Sequence, residues 1–156
     1  MFREEALSRM MKYCAYQERS HAQVRNKLLK LKVYGDALES IISELITEGF
    51  LNEERYARTY VRGKFRNNKW GRNKILMGLK HNKISSYCIK KGMEEIEEEE
   101  YRLVLQSVLL KKLTHSSKDD KYVNFKKVTQ YALQRGFEYD LVKEVLNELI
   151  EEQKTD

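Results

Sequence analysis

Apolar residues recur along this chain at helical spacing, and proline is absent from all 156 residues. In the first segment the apolar pairs are Ala6-Leu7, Met10-Met11 and Cys14-Ala15. Residues three and four positions apart lie on one face of an α-helix, and proline is the residue that most often interrupts one. Alternation typical of strands is nowhere sustained, so the sequence predicts an all-α fold.

The apolar pattern returns twice more, with a period of about fifty residues and three helices in each period. The first helices carry their apolar pairs within 6–15, 56–65 and 104–113. The second helices carry theirs at Val24 and Leu28, Ile75 and Leu79, and Val128 and Ala132. The third helices carry Leu38, Ile41, Ile42 and Leu45, then Ile89, Gly92, Met93 and Ile96, then Val142, Val145, Leu146 and Leu149.

This period divides the chain into three repeats, at residues 1–50, 51–97 and 98–156. A unit of this size buries too little apolar surface to be securely stable alone, so the repeats need to pack on their neighbours. We therefore expect three tandem three-helix repeats in an elongated, curved array. A compact bundle is the alternative.

Capping residues agree with this division. Ser20 with Gln23, and Asp36 with Glu39, have the spacing of a capping box, and Asn52 precedes a third predicted helix start. Glycines fall between predicted helices, at Gly35, Gly49, Gly71 and Gly136.

Composition argues against several classes of protein. No run of about 18 apolar residues could span a bilayer, and the N-terminus turns acidic where a signal peptide needs an apolar core. Cys14 and Cys88 have neither the number nor the spacing of a disulfide framework or zinc site, so we expect buried thiols. Nothing resembles a coiled-coil seam. These features predict a soluble, cytoplasmic monomer without membrane contact.

Signatures of catalysis are also missing from the sequence. His21, His81 and His115 stand far apart, with no ligand at helical spacing, and we interpret them as surface or capping residues. The chain has no P-loop, G-x-G-x-x-G, G-x-S-x-G or H-E-x-x-H motif. We predict no catalytic, cofactor-binding or metal-binding residues, and no enzyme activity.

Positive charge is concentrated in the middle of the chain. Residues 56–93 contain eleven lysines and arginines and no aspartate or glutamate, although the whole chain carries only +6. Spacings of three and four align five of the basic residues as one stripe on the first helix of the second repeat: Arg55, Arg58, Arg62, Arg66 and Lys69. The next helix is expected to continue this surface through Arg72, Lys74, Lys80 and Lys83, with Trp70 between the two groups.

Such a surface attracts a polyanion or an acidic protein, and Trp70 could stack on a base or fill an anchor pocket. The alternatives are an ordinary solvated face and a Trp70 packed at the helix junction; for Trp70 alone, packing is favoured. The interpretation as a docking stripe requires that Arg58, Arg62 and Arg66 share one side. It also requires that they are not each tied to a carboxylate of the same chain.

An acidic run follows at 94–100, where all but Ile96 are glutamate. One interpretation is an exposed turn that links the second and third repeats and favours the next helix start. The other is an internal mimic that screens the basic face until a partner displaces it.

Four segments resemble the RecX family of recombinase regulators. SHAQVRNKL at 20–28 is similar to the family's S-R-x-E-L-x-x-K-L helix, and EGFLNEERYA at 48–57 resembles its more specific repeat junction. GRNKILMGL at 71–79 and QRGFEYDL at 134–141 resemble two further family segments. Gln23 and Gly78 stand where the family usually has glutamate, and His21 where it often has arginine; Gly78 costs about 1 kcal/mol of helix propensity against alanine.

The resemblance implies a small bacterial protein that binds the RecA recombinase filament on single-stranded DNA and restrains ATP hydrolysis and strand exchange, without catalysis of its own. It implies that single-stranded DNA is contacted weakly or through the filament. The alternative function is direct nucleic-acid binding by a helix-turn-helix-like module in the second repeat. The sequence disfavours that alternative, because 72–83 offers mostly phosphate-type charge and few side chains suited to base edges.

Overall fold

The computed structural model describes residues 2–115 and 121–155, and these residues form nine α-helices and no strand. The helices are α1 Arg3–Tyr16, α2 His21–Lys30, α3 Gly35–Thr47, α4 Glu53–Arg66, α5 Arg72–His81, α6 Ser86–Met93, α7 Glu98–His115, α8 Lys121–Gln134 and α9 Tyr139–Thr155. The predicted all-α class, with helices in consecutive groups of three, is confirmed. Among the described helices, none combines the length and apolar character that crossing a membrane requires.

Two of the three predicted helix starts are capped as expected. The Ser20 hydroxyl accepts from the Gln23 amide at 3.1 Å, and the Gln23 side chain accepts from the Ser20 amide at 3.0 Å. The Asn52 side chain accepts from the Arg55 amide at 2.8 Å. The capping box predicted for Asp36 is wrong, because α3 already begins at Gly35 after an N-cap at Tyr34 that has no side-chain bond.

The third helix of the second repeat is shorter than its pattern predicts. Helix α6 ends at Met93, so Ile96 lies beyond it, although Ile96 is buried. Ile89 is only partly buried, and the buried residues of α6 are Cys88 and Gly92. A Cβ at position 92 would lie only 3.0 Å from the Cβ of Ala57. Because Gly92 has no side chain, α6 can approach α4 closely at this point.

Contacts divide the chain into two compact units, one made of Met1–Tyr60 with Leu79–Gly92, the other of Val61–Gly78 with Met93–Asp156. In the first unit α3 packs on α1 and α2. Its buried core includes Met10, Leu28, Ile41 and Leu45, each at most 1% exposed. The repeat boundaries at residues 50 and 97 stay a prediction.

In the second unit α7 packs on α8 and α9, around an aromatic centre. Phe65, Tyr101 and Phe137 are fully buried, with ring centroids of Tyr101 5.8 Å from Phe65 and 5.3 Å from Phe137. Aromatic pairs at such distances add to the stabilisation that burial provides.

Two glycines bring the α4–α5 turn against the α8–α9 turn within the second unit. The Gly71 amide donates to the Arg135 carbonyl at 2.7 Å, and the Asn73 amide donates to the Gly136 carbonyl at 2.9 Å. A Cβ at Gly71 would lie 2.3 Å from the Gly136 carbonyl carbon, so no larger residue fits there without displacement. This contact places Arg135 beside the α4–α5 turn.

The prediction of buried thiols is confirmed, because Cys14 and Cys88 are both free and buried. Burial raises the pKa of the Cys14 thiol to about 11.

Candidate functional site

The arginine stripe lies on α4 as the sequence predicts. Arg55, Arg58, Arg62 and Arg66 all belong to this helix, while Tyr56, Ala57, Val61 and Phe65 are buried between them in sequence. Since residues three and four positions apart share a helical face, the four arginine side chains project from the same face of α4. The first requirement placed on the stripe is met.

Two lysines of the predicted site lie outside the helices assigned to them. Helix α4 ends at Arg66, and Lys69 lies in the following turn with φ +56°. Helix α5 ends at His81, and Lys83 lies in the next turn with φ +58°. The periodicity continued through Lys69 and Lys83, but each lies two or three residues past the helix end, where the chain reverses.

The second requirement fails, because each arginine of the stripe is paired with a glutamate. The ion pairs are Arg55–Glu18 at 2.5 Å, Arg58–Glu54 at 3.3 Å, Arg62–Glu95 at 2.5 Å and Arg66–Glu100 at 3.4 Å. The prediction of an unopposed cationic stripe is therefore wrong. The 56–93 segment contains no acid of its own, but folding brings glutamates from outside it against the arginines.

The acidic run supplies three of the carboxylates that meet the predicted site. Glu95, Glu98 and Glu100 pair with Arg62, Arg72 and Arg66 respectively. The Glu97 carboxylate instead caps α7, accepting from the Glu99 amide at 3.1 Å and the Glu100 amide at 2.8 Å. The run is thus both a linking turn and a screen over basic residues.

Arg72 belongs to a network that joins α5, α7 and the turn before α9 within the second unit. Its guanidinium pairs with Glu98 at 2.5 Å and with Glu138 at 3.1 Å, and it lies 3.9 Å from the centroid of the Tyr101 ring. The Tyr101 hydroxyl donates to Glu138 and accepts from the Arg72 amide at 2.9 Å.

The pKa shifts in this network follow from burial and pairing. Burial alone would lower the pKa of Arg72, but its hydrogen bonds to Glu138 and Glu98 outweigh burial and raise it. Burial, together with the hydrogen bond to Glu138, raises the pKa of Tyr101 above its ordinary value. Arg72, only 23% exposed, is held as a structural cation.

Trp70 is half-buried and does not belong to the core, so the packing interpretation favoured for it is only partly met. The ammonium groups of Lys64 and Lys74 lie 4.8 Å and 4.4 Å from its ring centroid. Cations at these distances are attracted by the ring quadrupole. The Trp70 indole therefore makes cation–π contacts with two lysines of the same chain.

Four lysines of the predicted site, Lys69, Lys74, Lys80 and Lys83, form no ion pair with any residue that the structure describes. Lys69, Lys80 and Lys83 are exposed and Lys74 is partly buried. The basic character of this region thus rests on lysines, while its arginines are paired.

Sequence reasoning missed the specific carboxylate partners. Arg62 and Glu95 are 33 residues apart, Arg66 and Glu100 are 34 apart, and Arg55 and Glu18 are 37 apart. The available signal was the acidic run itself, since its sequence position beside a basic segment favoured screening.

His21 and His81 do not belong to a metal-site arrangement among the described residues. His81 is exposed, and the buried Nε2 atom of His21 has no hydrogen-bond partner among the residues that the structure describes. The side chain of His115 lies outside the described residues. In the described part of the chain, no three histidine, cysteine, aspartate or glutamate side chains group in a way that could hold a metal ion.

The fold and this region define a class: an all-helical protein of three-helix repeats whose charged surface is organised by ion pairs. Sequence models for two consecutive domains match the chain, described as the second and third three-helix domains of RecX, at residues 52–93 and 99–146. The chain belongs to the RecX family.

Individual relatives agree with this assignment. The regulatory protein RecX of Clostridium botulinum is 32% identical over 136 residues, covering 85% of this chain and 62% of the relative. The regulatory protein RecX of Streptococcus uberis is 30% identical over 134 residues, covering 85% of this chain and 51% of the relative. The chain spans between half and two thirds of the length of these curated relatives.

Crystal structures support the fold independently. RecX from Lactobacillus salivarius superposes with a TM-score of 0.85 at 24% identity, covering 94% of this chain and 96% of that one. A second structure, of a regulatory protein RecX, gives a TM-score of 0.83 at 21% identity. At these identities the likeness concerns the fold.

Proposed function

We propose that this chain is a cytoplasmic regulator of a RecA-type recombinase. In this proposal it binds the recombinase filament on single-stranded DNA and inhibits ATP hydrolysis and strand exchange. The observation that carries the proposal is the match of two consecutive RecX domains to residues 52–93 and 99–146. The relatives are named regulatory proteins, which supports a binding role and not catalysis.

Because the unopposed stripe is wrong, we adopt the other interpretation of the acidic run, in which it screens the basic face until a partner displaces it. In this proposal the docking surface is the region around α4 and α5. Arg62 and Arg66 are 44% and 54% exposed, and exposed ion pairs contribute about 0–1 kcal/mol each. Acidic groups of a partner can therefore replace Glu100, which is 39% exposed, at little cost, and Glu95, which is 21% exposed, at a higher cost. Arg58 pairs with Glu54 of its own helix, and an acidic group of the partner can replace Glu54 in the same way.

The lysines give the surface its attraction at a distance. Lys69, Lys80 and Lys83 are exposed and form no ion pair with described residues, so their charge is available to an approaching anionic assembly. Once docked, the protein acts by occupying space: it hinders the subunit motions coupled to ATP turnover or the entry of a second DNA.

The test is binding to preformed recombinase filaments and to bare single-stranded DNA at low and at physiological salt. Contacts to phosphate alone lose affinity steeply as salt rises, by a slope of about 0.7 per neutralised phosphate for single strands. We expect filament binding to persist at physiological salt while binding to bare DNA weakens. Equal salt sensitivity on both substrates would indicate a direct nucleic-acid binder and contradict the proposal.

A further inference from the structure

A basic pocket that shares only Lys69 with the predicted docking surface lies wholly within the second compact unit. Its volume is about 390 Å³, and its lining residues are Lys69, Ser107, Val108, Lys111, Lys112, Tyr131 and Arg135. Four of these seven side chains are cationic and none is a carboxylate. Pockets of this size hold ligands larger than a simple ion.

Helical spacing and the glycine contact bring these residues together. Ser107 and Lys111, like Val108 and Lys112, are one turn apart on α7. Tyr131 lies in the last turn of α8, and Arg135 directly follows the end of that helix. The close approach of Gly71 and Gly136 brings the α4–α5 turn, with Lys69, to the same place.

Arg135 is fixed in the pocket by neutral groups. Its Nε donates to the Lys69 carbonyl at 3.3 Å, one terminal nitrogen donates to the Asn68 carbonyl, and the other contacts the Tyr131 hydroxyl at 3.5 Å. It forms no ion pair within the described residues. These contacts hold the guanidinium in place without neutralising it, so its positive charge remains available.

The lining selects phosphate over a nucleobase. The Tyr131 ring already has the Lys112 ammonium 4.8 Å and the Arg135 guanidinium 5.6 Å from its centroid, which leaves it poorly placed to stack on a base. The Ser107 hydroxyl donates to the Val104 carbonyl at 2.7 Å. Several lysines with an arginine fork favour a ligand with several charged oxygens.

We propose that this pocket binds phosphate groups, either successive phosphates of a nucleic-acid strand or the polyphosphate of a free nucleotide. Because it reads charge and not base edges, binding is independent of sequence. The proposal does not depend on recombinase docking, and its test contains no recombinase.

The test compares the double variant Lys111→Gln with Lys112→Gln against a control that loses the same charge, Lys12→Gln with Lys30→Gln. The control residues are exposed and lie in the first compact unit. Binding to labelled oligothymidylate and to ATP is measured by fluorescence and calorimetry at low salt, and circular dichroism checks that both variants keep their helices.

We expect the pocket variant to bind about tenfold more weakly than the control, with a smaller salt dependence. A loss confined to oligothymidylate assigns the site to a nucleic-acid strand, and a loss confined to ATP assigns it to a free nucleotide. Equal affinities of the pocket and control variants for both probes, or no binding of either probe by the unmodified protein, would overturn the proposal.

Discussion

At the scale of single residues, the role of a side chain here depends on partners that lie far away in the sequence. Arg72 and Lys80 belong to the same helix and the same basic segment. Arg72 is tied to Glu98 and Glu138 and covers the Tyr101 ring, whereas Lys80 is exposed and forms no ion pair with described residues. Charge alone therefore does not identify a binding residue; its pairing does.

Two glycines allow a matched test of packing. Replacing Gly71 by alanine puts a Cβ 2.3 Å from backbone atoms of Gly136, so we expect destabilisation on the order of 1–3 kcal/mol. Gly63, inside α4, has nothing within 4 Å of its Cβ position, and alanine there should stabilise by up to about 1 kcal/mol. Urea unfolding of both variants measures the difference. Equal stabilities would show that the two turns are not in contact.

At the scale of helices, the periodic apolar pattern predicted most of the structure. The paired positions of the second helices are fully buried in all three repeats, from Val24 and Leu28 to Val128 and Ala132. The pattern predicted α6 only in part: Gly92 and Ile96 are buried as expected, but Ile96 lies beyond the helix end, and Cys88 is more deeply buried than Ile89. Apolar periodicity reports which face is buried, but it contains no information on which carboxylate meets which arginine.

The glutamate screen over α4 makes a prediction at this scale. Replacing Glu95 and Glu100 by glutamine removes one carboxylate partner from Arg62 and one from Arg66 without removing the arginines. Exposed pairs contribute about 0–1 kcal/mol each, so we expect filament binding to become roughly three- to tenfold tighter. Filament binding is measured by fluorescence anisotropy at physiological salt.

The control for this variant is Glu144→Gln with Glu148→Gln, which removes two carboxylates of α9 that pair with Arg102 of α7. Both double variants replace two glutamates by glutamines, so they raise the net charge of the protein by the same amount. If this control tightens binding as much as the Glu95 and Glu100 variant does, then general charge and not local screening controls docking.

At the scale of the whole molecule, the repeat and the family were recognisable from sequence, and the state of the basic surface was not. Four motifs spread from residue 20 to residue 141 carried the family resemblance, and the matched domains cover residues 52–93 and 99–146. The pairing of Arg62 and Arg66 needed the folded chain, since their partners belong to another helix or to the turn before it.

The most direct test of the central claim is the DNA-dependent ATPase of the cognate recombinase, titrated with the unmodified protein and with two charge-matched variants. Arg62→Gln with Arg66→Gln alters the docking surface; Arg9→Gln with Arg102→Gln removes two other paired arginines. The unmodified protein and the second variant should inhibit equally, while the first should need a several-fold higher concentration. An ATPase rate unaffected by the unmodified protein, or inhibited equally by all three, would contradict the account.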